Sequence, residues 1–180
     1  MTVLVVFGGL PGVGKTTIAR RLASETGAVF LRIDVIEMAL HDAGMEVQAE
    51  GYAVAYGLAE SNLKLGLNVI ADCVNPTLET RHAWRAVAER TGARLVEVEL
   101  VCSDPAEHRR RVETRVTDLS GFVPPTWPEV EGRDYHPWDR ERLVIDTSLT
   151  APDAAAALVW ELLPASPQGH WKLTPPFRDG

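Results

Sequence analysis

Short apolar runs recur along the chain and predict a set of β-strands. The run at residues 3–7 is uninterrupted and mostly β-branched, which is typical of a strand that is covered on both faces. Comparable apolar runs follow further along the chain, and the stretches between them are long enough to form helices. The predicted strands are residues 3–7, 28–33, 67–73, 94–102 and 143–146.

The stretches between these strands have helical character. The longest is amphipathic, and Gly66 follows it at the position where helices commonly end. Ser103 or Asp104 is suited to cap the helix that opens at Pro105. The predicted helices are residues 17–23, 35–43, 47–65 and 78–90, the one that opens at Pro105 and carries a basic run to Arg115, and 151–163.

The alternation of strands and helices predicts an α/β fold, with a parallel sheet that has helices on both faces. Ligands of such sheets bind beyond the carboxyl ends of the strands. Polar features stand at several of these ends, namely a glycine-rich loop, Asp34, Asp72 and the segment after Asp146. We therefore expect one cleft to gather them.

Composition narrows the class of protein. A chain of 180 residues with 46% hydrophobic residues is long enough for one domain with a sizeable core. A net charge of −7 argues against nucleic acid as a partner, because nucleic-acid scaffolds usually carry a basic stripe. The first apolar run is too short to cross a bilayer, so no membrane association is expected.

Two cysteines, Cys73 and Cys102, both fall in predicted buried strands, as free thiols in a reducing cytoplasm would. We expect a cytoplasmic protein with one domain at 1–163 and a Pro-rich tail at 164–180. A lid region is expected at about 105–140, where the part from 117 is rich in Gly and Pro and is predicted to be irregular.

The loop after the first strand carries the strongest motif. Residues 9–16 match the phosphate-binding pattern G-x-x-x-x-G-K-[ST] between a strand and a helix. Lys15 would neutralise the β- and γ-phosphates, and the Thr16 hydroxyl would bind Mg²⁺. Main-chain N–H groups of the loop and of the helix start would bind the phosphates. The predicted nucleotide-binding residues here are Gly9, Gly12, Val13, Gly14, Lys15, Thr16 and Thr17.

Two aspartates at strand ends are candidates for the chemistry. Asp34, after the second strand, is placed to accept the proton of an attacking hydroxyl, and it could also cap the next helix. Asp72, after the third strand, would hold Mg²⁺ through water or assist the base, unless it is only a polar strand terminus.

Arginines on the helix after the fourth strand would stabilise charge that moves between phosphates. Arg111 and Arg115 are four residues apart and are expected to share a helix face, with Arg115 on the phosphates and Arg111 near the adenine. A solvated face paired with Glu107 and Glu113 is the alternative. Thr147 and Ser148, after the fifth strand, would lie beside the base of the nucleotide and supply backbone contacts to it.

The molecule whose hydroxyl accepts the phosphoryl group, the acceptor, is expected between the 35–43 segment, the 47–65 helix and the lid region. Candidate contacts are Glu37, His41, Tyr52 and Tyr56, although core packing is an alternative for the two tyrosines. The acidic neighbourhood suits a neutral or cationic acceptor. The 117–140 segment is either a lid that excludes water or packing against the sheet edge.

The whole pattern resembles the small P-loop kinases of the adenylate-kinase-like group over about residues 1–160. The resemblance rests on the 9–16 loop, Asp34, Asp72 and the Arg111–Arg115 pair. It implies a P-loop NTPase fold whose five strands are ordered 2-3-1-4-5, and it implies ATP and Mg²⁺ as ligands.

Within that group, the chain is similar to the chloramphenicol phosphotransferase family through residues 33–37 and 144–147. It also resembles the polynucleotide 5′-kinase family. The residues that carry this second resemblance are Asp72, Asn75, Pro76, Arg81 and Trp84. Glu37 is a departure, because that second family has an arginine three residues after its catalytic Asp. Adenylyl-sulfate kinases resemble the chain more loosely.

These observations predict an ATP-dependent kinase that moves the γ-phosphate to a hydroxyl of a small molecule, such as an antibiotic, nucleoside or metabolite. A polynucleotide 5′-hydroxyl kinase and an adenylyl-sulfate-kinase-like enzyme are alternatives. A third alternative is a nucleotide-dependent switch. The lack of an N-K-x-D guanine signature counts against it. The sequence leaves the acceptor and the oligomeric state open.

Overall fold

A five-stranded parallel sheet forms the centre of the protein. The computed structural model describes residues 1–163. The strand order is β2-β3-β1-β4-β5, and every neighbouring pair is parallel, so the predicted fold and order are confirmed. The strands are β1 (Val3–Gly8), β2 (Val29–Arg32), β3 (Val69–Asp72), β4 (Arg94–Val101) and β5 (Leu143–Asp146).

Helices cover both faces of this sheet. The longest, α3, ends where predicted, with Gly66 in the left-handed region at φ 86° just beyond its last turn. The helices are α1 (Lys15–Thr26), α2 (Ile33–Asp42), α3 (Glu50–Lys64), α4 (Leu78–Thr91), α5 (Pro105–Glu113), α6 (Trp127–Glu131) and α7 (Pro152–Glu161). None of those in residues 1–163 is long and apolar enough to cross a membrane.

The core lies on the two faces of β1. Val5 and Phe7 point to one side, where α1 and α7 pack, and Leu4 and Val6 point to the other side, where α3 and α4 pack. Successive side chains of a strand alternate between faces, so an uninterrupted apolar strand feeds two cores at once. This packing holds β1, β2 and β3 in register, so that their carboxyl ends lie together at one edge of the sheet.

The passage from β2 to α2 differs from the prediction. The strand ends at Arg32, and α2 begins at Ile33 with no loop between them. Arg32 itself takes the extended cap conformation, and Asp34 is the second residue of the helix. The predicted strand end and the predicted cap role of Asp34 are therefore wrong, although Asp34 does lie in the first turn, where a carboxylate is favoured.

The basic helix α5 is shorter than predicted. It starts as expected, because the Asp104 side chain accepts hydrogen bonds from the N–H groups of Ala106 and Glu107. It ends at Glu113, and the Thr114 hydroxyl donates to the Arg110 carbonyl at 2.8 Å. Arg115 lies beyond the helix, so the prediction that it shares a helix face with Arg111 is wrong.

Smaller differences concern segment bounds. The predicted irregular segment 117–140 contains the short helix α6, and α3 begins at Glu50 rather than at residue 47. Cys73 and Cys102 are free, as predicted, but each follows a strand, and Cys102 is partly exposed. The predicted Pro-rich tail, 164–180, lies outside the described residues.

Candidate active site

A cavity of about 1040 Å³ opens at the carboxyl ends of the strands. Its wall includes residues from the glycine-rich loop, the ends of β2 and β3, and the segment after β5. The segment that follows α5 closes one side. The predicted gathering of polar strand ends into one cleft is thus observed, with Lys15, Asp34, Asp72 and Thr147 all on the wall.

The glycine-rich loop is shaped by positive φ angles. Gly12 has φ 86°, and a Cβ there would lie 2.5 Å from Cγ2 of Val112 on α5. Gly14 has φ 93°, and a Cβ there would meet no atom within 4 Å. Gly12 therefore allows the loop to pack against α5, whereas Gly14 faces open space on the cavity wall.

Two of the predicted loop residues do not form part of the cavity wall. Gly9 donates its N–H to the Val74 carbonyl at 3.0 Å, and Val13 is buried in the core on the α1 side. Both residues support the loop from behind. The predicted residues that line the cavity are Gly12, Gly14, Lys15, Thr16, Thr17, Asp34, Asp72, Arg111 and Arg115.

Lys15 is held inside its own loop. Its ammonium group donates to the Gly9 carbonyl at 2.7 Å and to the Leu10 carbonyl at 2.8 Å, and only 8% of the residue is exposed. Burial lowers the pKa of Lys15, and the nearby charges of Asp72 and Asp34 counteract that shift. An ammonium group held this way is already desolvated on the cavity wall, where it can exchange carbonyl contacts for an anion.

Asp72 has a buried carboxylate with an unused oxygen. The residue is 4% exposed, and its Oδ2 has no hydrogen-bond partner. Burial raises the pKa of Asp72, while Lys15 and a hydrogen bond from the Thr16 side chain lower it. A carboxylate oxygen beside a threonine hydroxyl on a cavity wall provides the hard oxygen ligands that Mg²⁺ prefers.

The protein part of such a magnesium site would be small. Among residues 1–163, no group of three or more His, Cys, Asp or Glu side chains is arranged to hold a metal. Mg²⁺ usually keeps several waters and binds through one or two protein groups together with phosphates. Thr16 and Asp72 fit that pattern.

Asp34 lies between two arginines. Its Oδ2 is 3.3 Å from a terminal nitrogen of Arg32 and 3.6 Å from one of Arg115. The Asp34 side chain is 30% exposed and reaches the cavity. Arg115 thus lies beside Asp34 on the cavity wall, although it lies beyond the helix, and its contact with the phosphates stays a prediction.

Arg32 is a central residue that the sequence analysis missed. Its side chain is 3% exposed and lies among three carboxylates: Asp118 at 2.7 Å, Asp34 at 3.3 Å and Asp72 at 3.9 Å. Arg20 also contacts Asp118. The guanidinium balances negative charge that Asp34 and Asp72 would otherwise bring together without compensation. The one feature of the sequence that could have indicated this role is the position of a charged residue at the end of an apolar strand.

Arg111 faces the end of β5. Its guanidinium donates to the Thr147 hydroxyl at 2.9 Å and to the Thr147 carbonyl at 3.0 Å. The predicted pairing of the basic helix is also present, because Glu107 binds both Arg110 and Arg111. Thr147 is thereby fixed on the cavity wall beside the guanidinium. Its place beside the base of a nucleotide stays a prediction.

His108 is a second residue whose position the sequence did not indicate. It is 6% exposed, and its Nε2 lies 2.8 Å from the Pro11 carbonyl oxygen. Since a carbonyl can only accept, this nitrogen carries the proton. The ring also packs edge-on against Trp127 at 5.1 Å between centroids. His108 therefore joins the loop to α6.

The cavity wall also includes Glu37 and Tyr52. The Tyr52 hydroxyl accepts a hydrogen bond from the Asn75 N–H at 2.9 Å. Tyr56 donates to the Thr80 carbonyl and packs edge-on against Trp84, and neither Tyr56 nor His41 is on the cavity wall. Of the four candidate acceptor contacts, the structure brings Glu37 and Tyr52 to the cavity.

The 117–140 segment has two parts with different surroundings. From Asp118 to Arg133 it lines the cavity, and we call this part the rim. The part from 135 packs on the protein: Arg81 lies 4.2 Å from the centre of the Trp138 ring and donates to the carbonyls of His136 and Pro137. Arg140 pairs with Glu97 on β4.

Comparisons with known proteins agree with this architecture. The chain is 24% identical to the "Probable adenylyl-sulfate kinase" of Aeropyrum pernix, and the match covers 91% of this chain and 93% of that protein. A sugar kinase from Janibacter sp. HTCC2649 superposes with a TM-score of 0.65 at 20% identity, over 89% of this chain and 95% of that one.

A third similar protein is an APS kinase of Mycobacterium tuberculosis, solved in complex with AMPPNP and APS. It superposes with a TM-score of 0.63 at 20% identity, over 89% of this chain and 96% of that one. These matches support the broader resemblance to small P-loop kinases. The narrower resemblance to chloramphenicol phosphotransferases and polynucleotide 5′-kinases stays a prediction.

The sequence model of the AAA domain family matches residues 4–124. That range begins at the second residue of β1, extends through β4, and includes the glycine-rich loop and all three carboxylates around Arg32. The chain therefore has the P-loop kinase fold and belongs to the AAA domain family.

Proposed function

We propose that this protein is an ATP-dependent phosphotransferase that moves the γ-phosphate of ATP to a hydroxyl of a small molecule. The observation that carries the proposal is the joint position of Lys15, Asp72 and Asp34 on the wall of one cavity, beside the open face of Gly14. Phosphate, metal and acceptor chemistry each have a suitable side chain there.

The loop would hold the nucleotide. Lys15 would exchange its contacts with the carbonyls of Gly9 and Leu10 for the β- and γ-phosphates. Thr16 and Asp72 would hold Mg²⁺, which supplies charge neutralisation on the phosphate oxygens when it is bound. Arg111 and Thr147 would lie beside the base.

Asp34 would act on the acceptor. The acceptor oxygen forms a bond to the γ-phosphorus, the bond from that phosphorus to the leaving oxygen breaks, and the hydroxyl proton passes to the Asp34 carboxylate. Arg115, 3.6 Å from Asp34, would stabilise the charge on the phosphoryl group. Most of the catalytic effect would come from positioning and charge neutralisation.

The rim would act as a lid. It lines the cavity, and Asp118 ties it to Arg20 and Arg32. Exclusion of water by such a segment prevents hydrolysis of the nucleotide without an acceptor. In this proposal the lid region belongs to the single domain at 1–163.

The test is transfer of label from γ-labelled ATP to a panel of hydroxyl compounds, in which sugars, nucleosides, hydroxylated antibiotics and adenylyl sulfate are separate arms. We expect one arm to be labelled, and we expect Asp34→Asn to lower kcat by about 100-fold or more. Asp42→Asn is the matched control, because Asp42 lies at the far end of the same helix and its side chain is 74% exposed. Labelling of no arm, or equal labelling by Asp34→Asn, would contradict the proposal.

A second candidate is phosphorylation of adenylyl sulfate. The match to the Aeropyrum pernix protein over 91% of this chain favours it. Selective labelling of the adenylyl sulfate arm would establish this activity, and absence of label from that arm would exclude it.

A further inference from the structure

Glu37 stands one helical turn after Asp34 on α2. Residues three apart in a helix share a face, and both of these carboxylates line the cavity. Their Cβ atoms are expected to be about 5–6 Å apart. That spacing matches two neighbouring polar groups on one small molecule.

The position of Glu37 depends on Gly51 in α3. A Cβ at Gly51 would lie 2.4 Å from Cγ of Glu37 and 3.0 Å from its Oε1. The bare backbone of α3 thus accommodates the Glu37 side chain. A larger residue at position 51 would displace that side chain, which lines the cavity wall together with Tyr52.

The Glu37 carboxylate has no partner of its own. Across residues 1–163, no hydrogen bond to it and no ion pair within 4.0 Å is formed. Burial and the charge of Asp34 raise its pKa to about 6, and the charge of Arg133 lowers it. A half-buried carboxylate without a partner favours a ligand that donates a hydrogen bond.

Two of the neighbouring cations, Arg32 and Arg115, are already engaged, and Arg133 on the cavity wall acts on Glu37 itself, because its charge lowers the pKa of Glu37. Arg32 binds Asp118 at 2.7 Å and lies 3.3 Å from Asp34, and Arg115 lies 3.6 Å from Asp34. An anionic group at Glu37 would face two carboxylates and the phosphates of the nucleotide. Like-charge contacts of this kind are a common means of excluding a ligand.

We propose that Glu37 selects the acceptor: it binds a hydroxyl or ammonium group next to the hydroxyl that is phosphorylated, so the acceptor is a non-anionic polyol or amino alcohol. This inference rests on the proposed function. It excludes acceptors that carry phosphate, sulfate or carboxylate beside the reacting hydroxyl.

The test uses γ-labelled ATP and matched acceptor sets: neutral sugars and nucleosides, amino sugars, and the phosphate, sulfate or carboxylate derivatives of each. We expect label on a neutral or amino compound, and a kcat/KM at least tenfold lower for its anionic derivative. The neutral and amino arms distinguish a hydroxyl from an ammonium as the group bound to Glu37. Preference for an anionic acceptor would overturn the inference while leaving the proposed phosphotransfer intact.

Variants test the residue itself. Glu37→Gln should raise the acceptor KM by about 10- to 100-fold, the value of one hydrogen bond to a charged group, and leave the KM for ATP unchanged. Gly51→Ala should raise the acceptor KM as well, since it displaces the same carboxylate. Glu113→Gln, on the exposed side of α5, is the control and should leave both KM values unchanged.

An unchanged acceptor KM in both Glu37→Gln and Gly51→Ala would overturn the role of Glu37. If ATP binds but no compound in any arm is labelled, the proposed function fails, and the inference fails with it.

Discussion

Replacement of Arg32 by Met tests the charge arrangement of the site most sharply. Methionine keeps most of the aliphatic stem and removes the guanidinium, which is 3% exposed among Asp34, Asp72 and Asp118. Asp72 is itself 4% exposed and already has one oxygen without a hydrogen-bond partner. Without Arg32, it would be left as a buried charge with less compensation.

The expected loss follows from burial. Removing one partner of a buried ion pair typically costs about 3–5 kcal/mol. The contact with Asp118 contributes little of this, because that side chain is 50% exposed and exposed pairs are worth at most ~1 kcal/mol. We therefore expect Arg32→Met to lower the free energy of unfolding by about 3 kcal/mol, a large share of the roughly 5–15 kcal/mol that holds a domain folded.

The measurement is urea unfolding at neutral pH, followed by the fluorescence of the five tryptophans. Asp118→Asn is the matched control, because it breaks the contacts of the rim with Arg32 and Arg20 but leaves the Arg32 charge beside Asp72. It should lower the free energy of unfolding by about 1 kcal/mol or less. Equal losses in the two variants, or a loss below about 1 kcal/mol for Arg32→Met, would show that the Arg32 guanidinium does not compensate the buried charge of Asp72.

Three further predictions concern the glycine-rich loop, Glu37 and Arg81. Gly12→Ala should lower the free energy of unfolding by about 3 kcal/mol, because the new Cβ would overlap Val112 at a positive φ. Gly14→Ala should lower it by only about 1 kcal/mol, since that substitution introduces backbone strain alone. Equal losses in urea titrations would contradict the packing of the loop on α5. The pKa of Glu37 is raised from 4.5 to about 6, so the ionised carboxylate lowers stability at neutral pH and this penalty disappears as the pH falls through that range. Glu37→Gln should therefore gain about 1 kcal/mol at pH 8, after allowance for solvent screening, and close to nothing at pH 4; an equal gain at both would contradict the shift. Arg81→Met should lose about 3 kcal/mol and expose the chain near residue 137 to proteolysis, because Arg81 is fully buried and donates to carbonyls on both sides; an unchanged digestion pattern would contradict this.

The parts of the fold and site that the sequence predicted depend on local patterns. The phosphate-binding loop lies within eight consecutive residues, and the strands are short apolar runs. The order of the strands came from a resemblance that those motifs supported. For these features, spacing along the chain determines the structure, so one sequence is enough.

The parts that it missed depend on residues that are distant along the chain. Arg32 meets Asp118 across 86 positions, and His108 meets the Pro11 carbonyl across 97. Glu37 acquires its setting from Gly51 on another helix. Neither the secondary-structure propensities of single residues nor the hydrophobic periodicity of a segment can indicate contacts between such distant residues.

Local signals were also misread where two rules competed. Asp34 follows an apolar run and was placed at its end, but the backbone enters α2 directly from Arg32. Arg115 was assigned to a helix face by spacing, but the β-branched residues from Thr114 onward disfavour helix and α5 ends before them. Arg115 nevertheless comes within 3.6 Å of Asp34 and lines the cavity, and its contact with the phosphates stays a prediction.

A crystal structure with Mg²⁺ and a non-hydrolysable ATP analogue would test the phosphotransfer proposal at the site itself. We expect the triphosphate in the loop, with Lys15 moved from the carbonyls of Gly9 and Leu10 onto the phosphates, Thr16 and Asp72 at the metal, and Asp34 facing the terminal phosphorus. An analogue bound elsewhere, or an Asp34 carboxylate turned away from the terminal phosphate, would contradict it.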